Sequence, residues 1–141
     1  MTKNPTAAVP IEGLAHIGVR VHDLERSVRF YALLGFEKTA GPIGPEPVAI
    51  LSHPSGPELN LILNAPNASE PNILMDVPQK HPGITHFALL CDDIMAAKAR
   101  LEAAGIGLSG GPMALGQSAR AIFVRDPDRN VIELHQRVGH S

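Results

Sequence analysis

The stretch "GLAHIGVRVHDL" runs from Gly13 to Leu24, and "GITHFALLCDDI" runs from Gly83 to Ile94. Laid over each other without a gap, they match Gly13 with Gly83, His16 with His86 and Asp23 with Asp93. The offset of 70 holds as far as Gly35 and Gly105. In each copy an apolar run (Leu14, Ile17, Val19, Val21; then Ile84, Phe87, Leu89, Cys91) alternates as a strand does. Asp23 or Asp93 then stands where a helix N-cap belongs. The segments "LERSVRFYALLG" and "IMAAKARLEAAG" keep apolar residues three and four apart and end on Gly35 and Gly105, the left-handed stop of a helix.

The back halves match as well, at an offset of 73: "VAILSHPSGPELNLIL" from Val48 lies over "AIFVRDPDRNVIELHQ" from Ala121. Pro54 falls on Pro127 in a turn whose flanks alternate like paired strands. Each module therefore reads as a strand, a helix and two or three antiparallel strands. The expected boundaries are 11–66 for the first module, 67–82 for a linker and 83–137 for the second, within a single domain spanning 1–141. The linker region "APNASEPNILMDVPQKHPG" is rich in Pro and Asn, with "ILM" apolar enough to dock. A period this long exceeds a solenoid unit and marks a duplicated half-domain. The fold class expected is α+β: two tandem βαβββ modules forming a curled, cup-shaped mixed sheet.

The bulk properties remove several functions. The 141 residues make one domain, able to bury roughly two-thirds of the unfolded surface. A net charge of −2, dispersed basic residues, no Trp and one Tyr leave no nucleic-acid groove. No apolar run approaches a spanning helix, and "MTKNPTAAVP" lacks the layout of a signal peptide. One cysteine, Cys91, makes no internal disulfide, so a cytoplasmic setting is expected. Seven histidines beside few aromatics fit metal or acid–base chemistry.

Matching strand positions in two equivalent halves converge across a pseudo-two-fold axis. His16, His86 and Glu133, the last in "NVIELHQ", are the metal-ligand set this predicts, suited to a borderline divalent ion with positions left for substrate. Asn60, in "ELNLILN", is the counterpart of Glu133 and serves as a weak fourth ligand or a hydrogen-bond donor. Glu58, on the face of Asn60, takes the carboxylate's place if the register slips by two. The alternative is structural: packed core histidines, and Glu133 paired with Arg125 or Arg129. His22, His53, His81 and His140 occupy helix-entry, turn, linker and tail contexts that predict solvated side chains. His135 shares a face with Glu133 and is a candidate to orient it. Three motifs are set aside. "GIGLSG" (Gly105 to Gly110) follows a helix and opens none, so no pyrophosphate cradle forms. Cys91, in an apolar strand, reads as a buried inert thiol. No G-x-S-x-G elbow is present.

These residues resemble the vicinal oxygen chelate superfamily, which includes glyoxalase I, fosfomycin-resistance transferases, extradiol dioxygenases and bleomycin-resistance proteins. "HIGVRVHDLERSVRFYALLGF" from His16 is similar to the first signature of glyoxalase I, and "DPDRNVIELHQ" from Asp126 to the closing hairpin whose glutamate, here Glu133, is a ligand. The resemblance covers about residues 11 to 137 and implies paired βαβββ modules. The departures matter. Asn60 stands where glyoxalase I has a carboxylate base, Thr85 precedes His86 where Gly or His is usual, and Phe123 replaces the tyrosine of dioxygenases. "GGPMALGQSARAIF" shows no counterpart of the potassium loop of fosfomycin-resistance enzymes.

The function expected is a metal-dependent glyoxalase- or dioxygenase-like enzyme. His16, His86 and Glu133 would hold one divalent ion (Fe2+, Mn2+, Zn2+ or Ni2+), chelated by two adjacent oxygens of a small substrate. Asn60 would donate to an oxyanion, Glu58 would move protons, and Arg120 would meet an anionic group or solvent. The alternative is a metal-free protein that sequesters a small molecule or antibiotic; a third reading is an accessory domain without ligand. The resemblance further implies a homodimer with the site shared between chains.

Overall fold

Asp23 and Asp93 act as the sequence predicts. In the computed structural model, which describes residues 7–67 and 70–139, Asp23 caps α1 (Leu24–Ala32) by accepting from the Glu25 N–H. Asp93 caps α2 (Ile94–Ala103) by accepting from the N–H groups of Met95 and Ala96, each at 3.1 Å. Both helices stop alike. Gly35 and Gly105 take φ of +90° and +85°, and the following N–H turns back, Phe36 onto the Tyr31 carbonyl and Ile106 onto that of Leu101. Only a residue without Cβ adopts that left-handed turn at little cost.

Three strands follow each helix. The first half holds β1 (Ile17–Arg20), β2 (Glu37–Ile43), β3 (Val48–Ser52) and β4 (Glu58–Ile62), in the order β1-β4-β3-β2. The second holds β5 (His86–Leu90), β6 (Gly110–Leu115), β7 (Ala119–Arg125) and β8 (Val131–Arg137), in the order β5-β8-β7-β6. β1 runs parallel to β4 and β5 to β8, while the other pairs are antiparallel. The fold is α+β, two βαβββ units, each with its own mixed four-stranded sheet. The duplication also reaches β2 and β6, where Gly41–Pro42 and Gly111–Pro112 are both cis.

Two sequence expectations shift. Leu14 and Ile84 precede the first strands and stand 80% and 85% exposed, because pairing begins only at Ile17↔Leu59 and His86↔Val131. Apolar alternation marks a face, but a strand also needs a partner for its backbone. The register also settles the counterpart of Glu133: Asn60 pairs with Gly18 as Glu133 pairs with Ala88, so the strands do not slip toward Glu58.

Alternation then divides the faces. Val19, Leu51, Leu59 and Leu61 point from the first sheet toward Phe30 and Tyr31 of α1, and Ile122, Val124, Ile132 and Leu134 from the second toward Ile94 and Leu101 of α2. These residues form one cluster spanning both halves, each large side chain contributing about 1.5–3 kcal/mol on burial. The opposite faces carry the polar positions Asn60 and Glu133.

The segment before β5 is fastened to the second half. Arg125 donates to both carboxylate oxygens of Asp76 at 2.8 Å, which holds that carboxyl below its ordinary range. Asn72 donates to the Arg129 carbonyl, and Arg129 to that of Glu70. Of "ILM", Leu74 is half-buried and lies where a Cβ on Gly83 would sit, at 2.9 Å; Ile73 and Met75 are exposed.

Candidate functional site

On the open face of the second sheet, β5 contributes His86, β8 contributes Glu133 and His135, and β7 contributes Phe123, directly opposite Glu133. The Glu133 carboxylate is buried, with Oε1 3.2 Å from His86 Nε2 and Oε2 2.6 Å from His135 Nδ1. Both oxygens therefore face imidazole nitrogens, which meets the demand of a buried carboxylate for partners. The Phe123 ring meets His86 edge to face, centroids 5.9 Å apart. Thr85 Oγ1 lies 2.9 Å from His86 Nδ1, so the residue that departs from the family pattern engages the far ring nitrogen.

The first half presents a different surface. His16 is exposed, immediately before β1. Asn60 is flanked by Gly18 and Ile50, and its Oδ1 is buried without a donor among the described residues. Glu58, two residues earlier on the same face, is half-buried. Among the described residues, no three His, Cys, Asp or Glu side chains are arranged to hold a metal ion. A single chain thus brings His86 to Glu133 but does not bring His16 to either.

Several expectations are corrected. Arg125 is committed to Asp76 and Arg129 reaches the Glu70 carbonyl, so the partners of Glu133 are imidazoles rather than guanidinium groups. Arg120 pairs with Gln136, one residue out of phase with Phe123 and Glu133, and so faces the helix side of the sheet. Cys91 is half-buried and lines a cavity rather than lying sealed in the core. His53 is half-buried as well: its Nδ1 accepts from the Ser55 N–H at 3.0 Å, and its ring meets Phe36 at 5.2 Å. His22 and His81 are exposed, the former bonded through Nδ1 to the Ala65 carbonyl. His140 lies outside the described residues.

Sequence reasoning did not find a polar cluster joining the halves. Tyr31 donates to Asp126 Oδ2 at 2.7 Å, while Asn130 and the Asp128 N–H hold the same carboxylate. Arg26 reaches Asp128 at 3.1 Å, and Asn130 donates to the Arg20 carbonyl. Burial pushes the Asp126 carboxyl above its usual range, although hydrogen bonds from Asn130 and Tyr31 pull the other way. Burial first, then the Asp126 charge, raises the Tyr31 hydroxyl, which stays protonated. The sequence signal was the "DPDRN" turn, whose aspartates point back into their own loop and outward to the other half.

The sequence profile of the glyoxalase/bleomycin resistance protein/dioxygenase superfamily matches residues 13–134, and the chain belongs to that superfamily. Solved structures agree on the fold. A glyoxalase/bleomycin resistance protein/dioxygenase domain from a Frankia species superposes with a TM-score of 0.74 at 22% identity, covering 93% of this chain and 96% of its own. An antibiotic binding protein from a Streptomyces species gives 0.71 at 25% identity, covering 93% and 100%. A genomically encoded fosfomycin resistance protein from Listeria monocytogenes gives 0.70 at 17% identity, covering 92% and 94%. No curated protein matches the sequence. No helix among the described residues is long and apolar enough to cross a membrane.

Proposed function

We propose that this protein is a cytoplasmic metal-dependent enzyme of the superfamily, acting on a small molecule with two adjacent oxygens. The observation that carries this reading is the pairing of His86 and Glu133 on an open sheet face, with Asn60 at the equivalent position of the other half. The donor set fits a borderline divalent ion: His86 Nε2 and Glu133 Oε1 are 3.2 Å apart, Thr85 fixes the far side of the His86 ring, and His135 fixes the far oxygen of Glu133. The unpartnered Asn60 Oδ1 is a buried acceptor that a bound group would satisfy.

His16 would complete the ligand set from a second copy of the chain. β1 and β5 are sheet edges, and the matched residues Leu14 and Ile84 are exposed beside them, as expected of surface that a homodimer covers. Iron, manganese, zinc or nickel would supply Lewis-acid polarisation of two substrate oxygens. The chain's own residues do the rest. Phe123 walls one side of His86; the second copy would bring, with His16, Asn60, whose amide would orient a substrate oxygen, and the half-buried Glu58, which would take or return a proton.

The test is elemental analysis of tag-free protein. About one metal per chain in the wild type, lost in Glu133→Ala, is the expected result. Mixing His16→Ala with His86→Ala chains should restore metal to about one site in two of each heterodimer, since one shared site then keeps both histidines. Metal retained in Glu133→Ala, or a monomer that binds metal stoichiometrically, overturns the shared site. A second reading has one observation in its favour: both Glu133 oxygens already have imidazole partners, so the cluster is satisfied without an ion. That reading is a metal-free protein that sequesters a small molecule or antibiotic, and ligand-dependent thermal stabilisation of chelated protein would support it.

A further inference from the structure

The two halves meet at two junctions that the repeat makes equivalent, and only one is filled. At the first, α1 meets the β7–β8 turn, and Tyr31, Arg26, Asp126, Asp128 and Asn130 occupy the space. At the second, α2 faces the β3–β4 turn. There the offset of 70 puts Leu101 in the place of Tyr31 and Ala96 in that of Arg26. The offset of 73 puts His53, Ser55 and Pro57 in the places of Asp126, Asp128 and Asn130. The phenol and the guanidinium have no counterpart, and a cavity of about 890 Å³ remains. Its volume lies in the range of small-molecule sites, about 300–1,000 Å³.

The lining sets the chemistry. Leu34, Leu89, Ala97, Leu101 and Leu134 make the walls. Leu89 and Leu134 belong to the helix side of the second sheet, so the cavity lies behind the face that carries Glu133. One polar group is left over. Because His53 Nδ1 accepts from the Ser55 N–H, the ring proton of the neutral imidazole sits on Nε2, where no described residue accepts it. Gly35 makes room for that nitrogen, since a Cβ there would lie 2.6 Å from it. Asp93 is spent on capping α2, and the remaining lining charges, Arg100 and Asp92, are opposite in sign.

We propose that this open junction binds a neutral, mostly apolar small molecule with one hydrogen-bond acceptor, received by the His53 Nε2–H. The site is independent of the metal reading above. The probe is acetophenone, followed through backbone amide shifts. Saturable shifts are expected at Ser55, Cys91 and Ala97. Two variants fill the space: Leu101→Tyr with His53→Asp, which copies the closed junction, and Ala97→Met, which leaves His53 alone. Each should weaken acetophenone by about tenfold or more without changing metal content. His53→Phe should weaken acetophenone but not ethylbenzene, which lacks the acceptor. Shifts centred on His86 and Phe123, affinity unchanged in both filled variants, or no saturable shift would each overturn the proposal.

Discussion

The two halves share caps, helix stops, strand order and register, yet they have specialised on opposite faces. The junction beside α1 is polar and closed, because Tyr31 reaches Asp126 across it, while the open face of the first half keeps an Asn60 oxygen without a donor among the described residues. In the second half the helix side is apolar and leaves a cavity beside Leu101, while the open face holds Glu133 between two imidazoles. Duplication preserved the backbone, and single side chains at equivalent positions decided where each half keeps its polar chemistry. Neither junction is fully satisfied: Arg26 Nε and Asp128 Oδ2 are buried in the first without a partner among the described residues, and the second keeps its cavity.

The largest effect is expected from making the first junction resemble the second. Tyr31→Leu removes a fully buried ring and the donor to Asp126, and should cost about 3–5 kcal/mol in urea unfolding. Leu101→Ala, at the equivalent position beside existing empty space, should cost about 2–3 kcal/mol by the same measurement. Equal losses would mean that the junctions do not differ as the cavity implies. On the open faces, Glu133→Ala leaves two half-exposed imidazoles without their acceptor and should cost about 1–2 kcal/mol. Asn60→Ala removes an unpartnered acceptor and should stay within about 1 kcal/mol of the wild type. A large loss in Asn60→Ala would show that its oxygen is satisfied in solution.

pH separates the junction from the surface. The Asp126 carboxyl is raised by burial, so its contribution is fully present below the unfolded value and is lost as pH rises through the folded one. Asp126→Asn deletes that dependence. The stability of the wild type over the variant should therefore grow as pH falls from neutrality toward about 4, read as the difference in Tm. Asp76 runs the other way, because Arg125 lowers its pKa: its contribution is present above the unfolded value and lost as pH falls through the folded one. Its salt bridge with Arg125 is solvent-accessible, so Asp76→Ala should cost at most about 1 kcal/mol near neutrality, with the difference from the wild type fading in acid.

Much of the fold was legible because its signals are local. Asp23 and Asp93 cap because a short carboxylate reaches its own next N–H groups, and Gly35 and Gly105 stop helices because only φ matters there. The offset between Asn60 and Glu133 was legible as well, since strand pairing follows the alternation it is built on. The partners of Glu133 were less so. His135, two residues on, was within reach of sequence reasoning, whereas the commitment of Arg125 to Asp76 depends on where a distant, turn-rich segment docks. The face of Arg120 was not legible either, since only its place in β7 opposite Gln136 turns it to the helix side.

The sequence by itself determined the elements, their duplication and which residues are equivalent, because propensity, capping and alternation act over a few residues. Only the tertiary structure decided that Tyr31 closes one junction while Leu101 leaves the other open, and that His16 stands apart from His86 and Glu133 within one chain. Those outcomes turn on how side chains far apart in sequence fill a shared volume, and no local pattern encodes a volume.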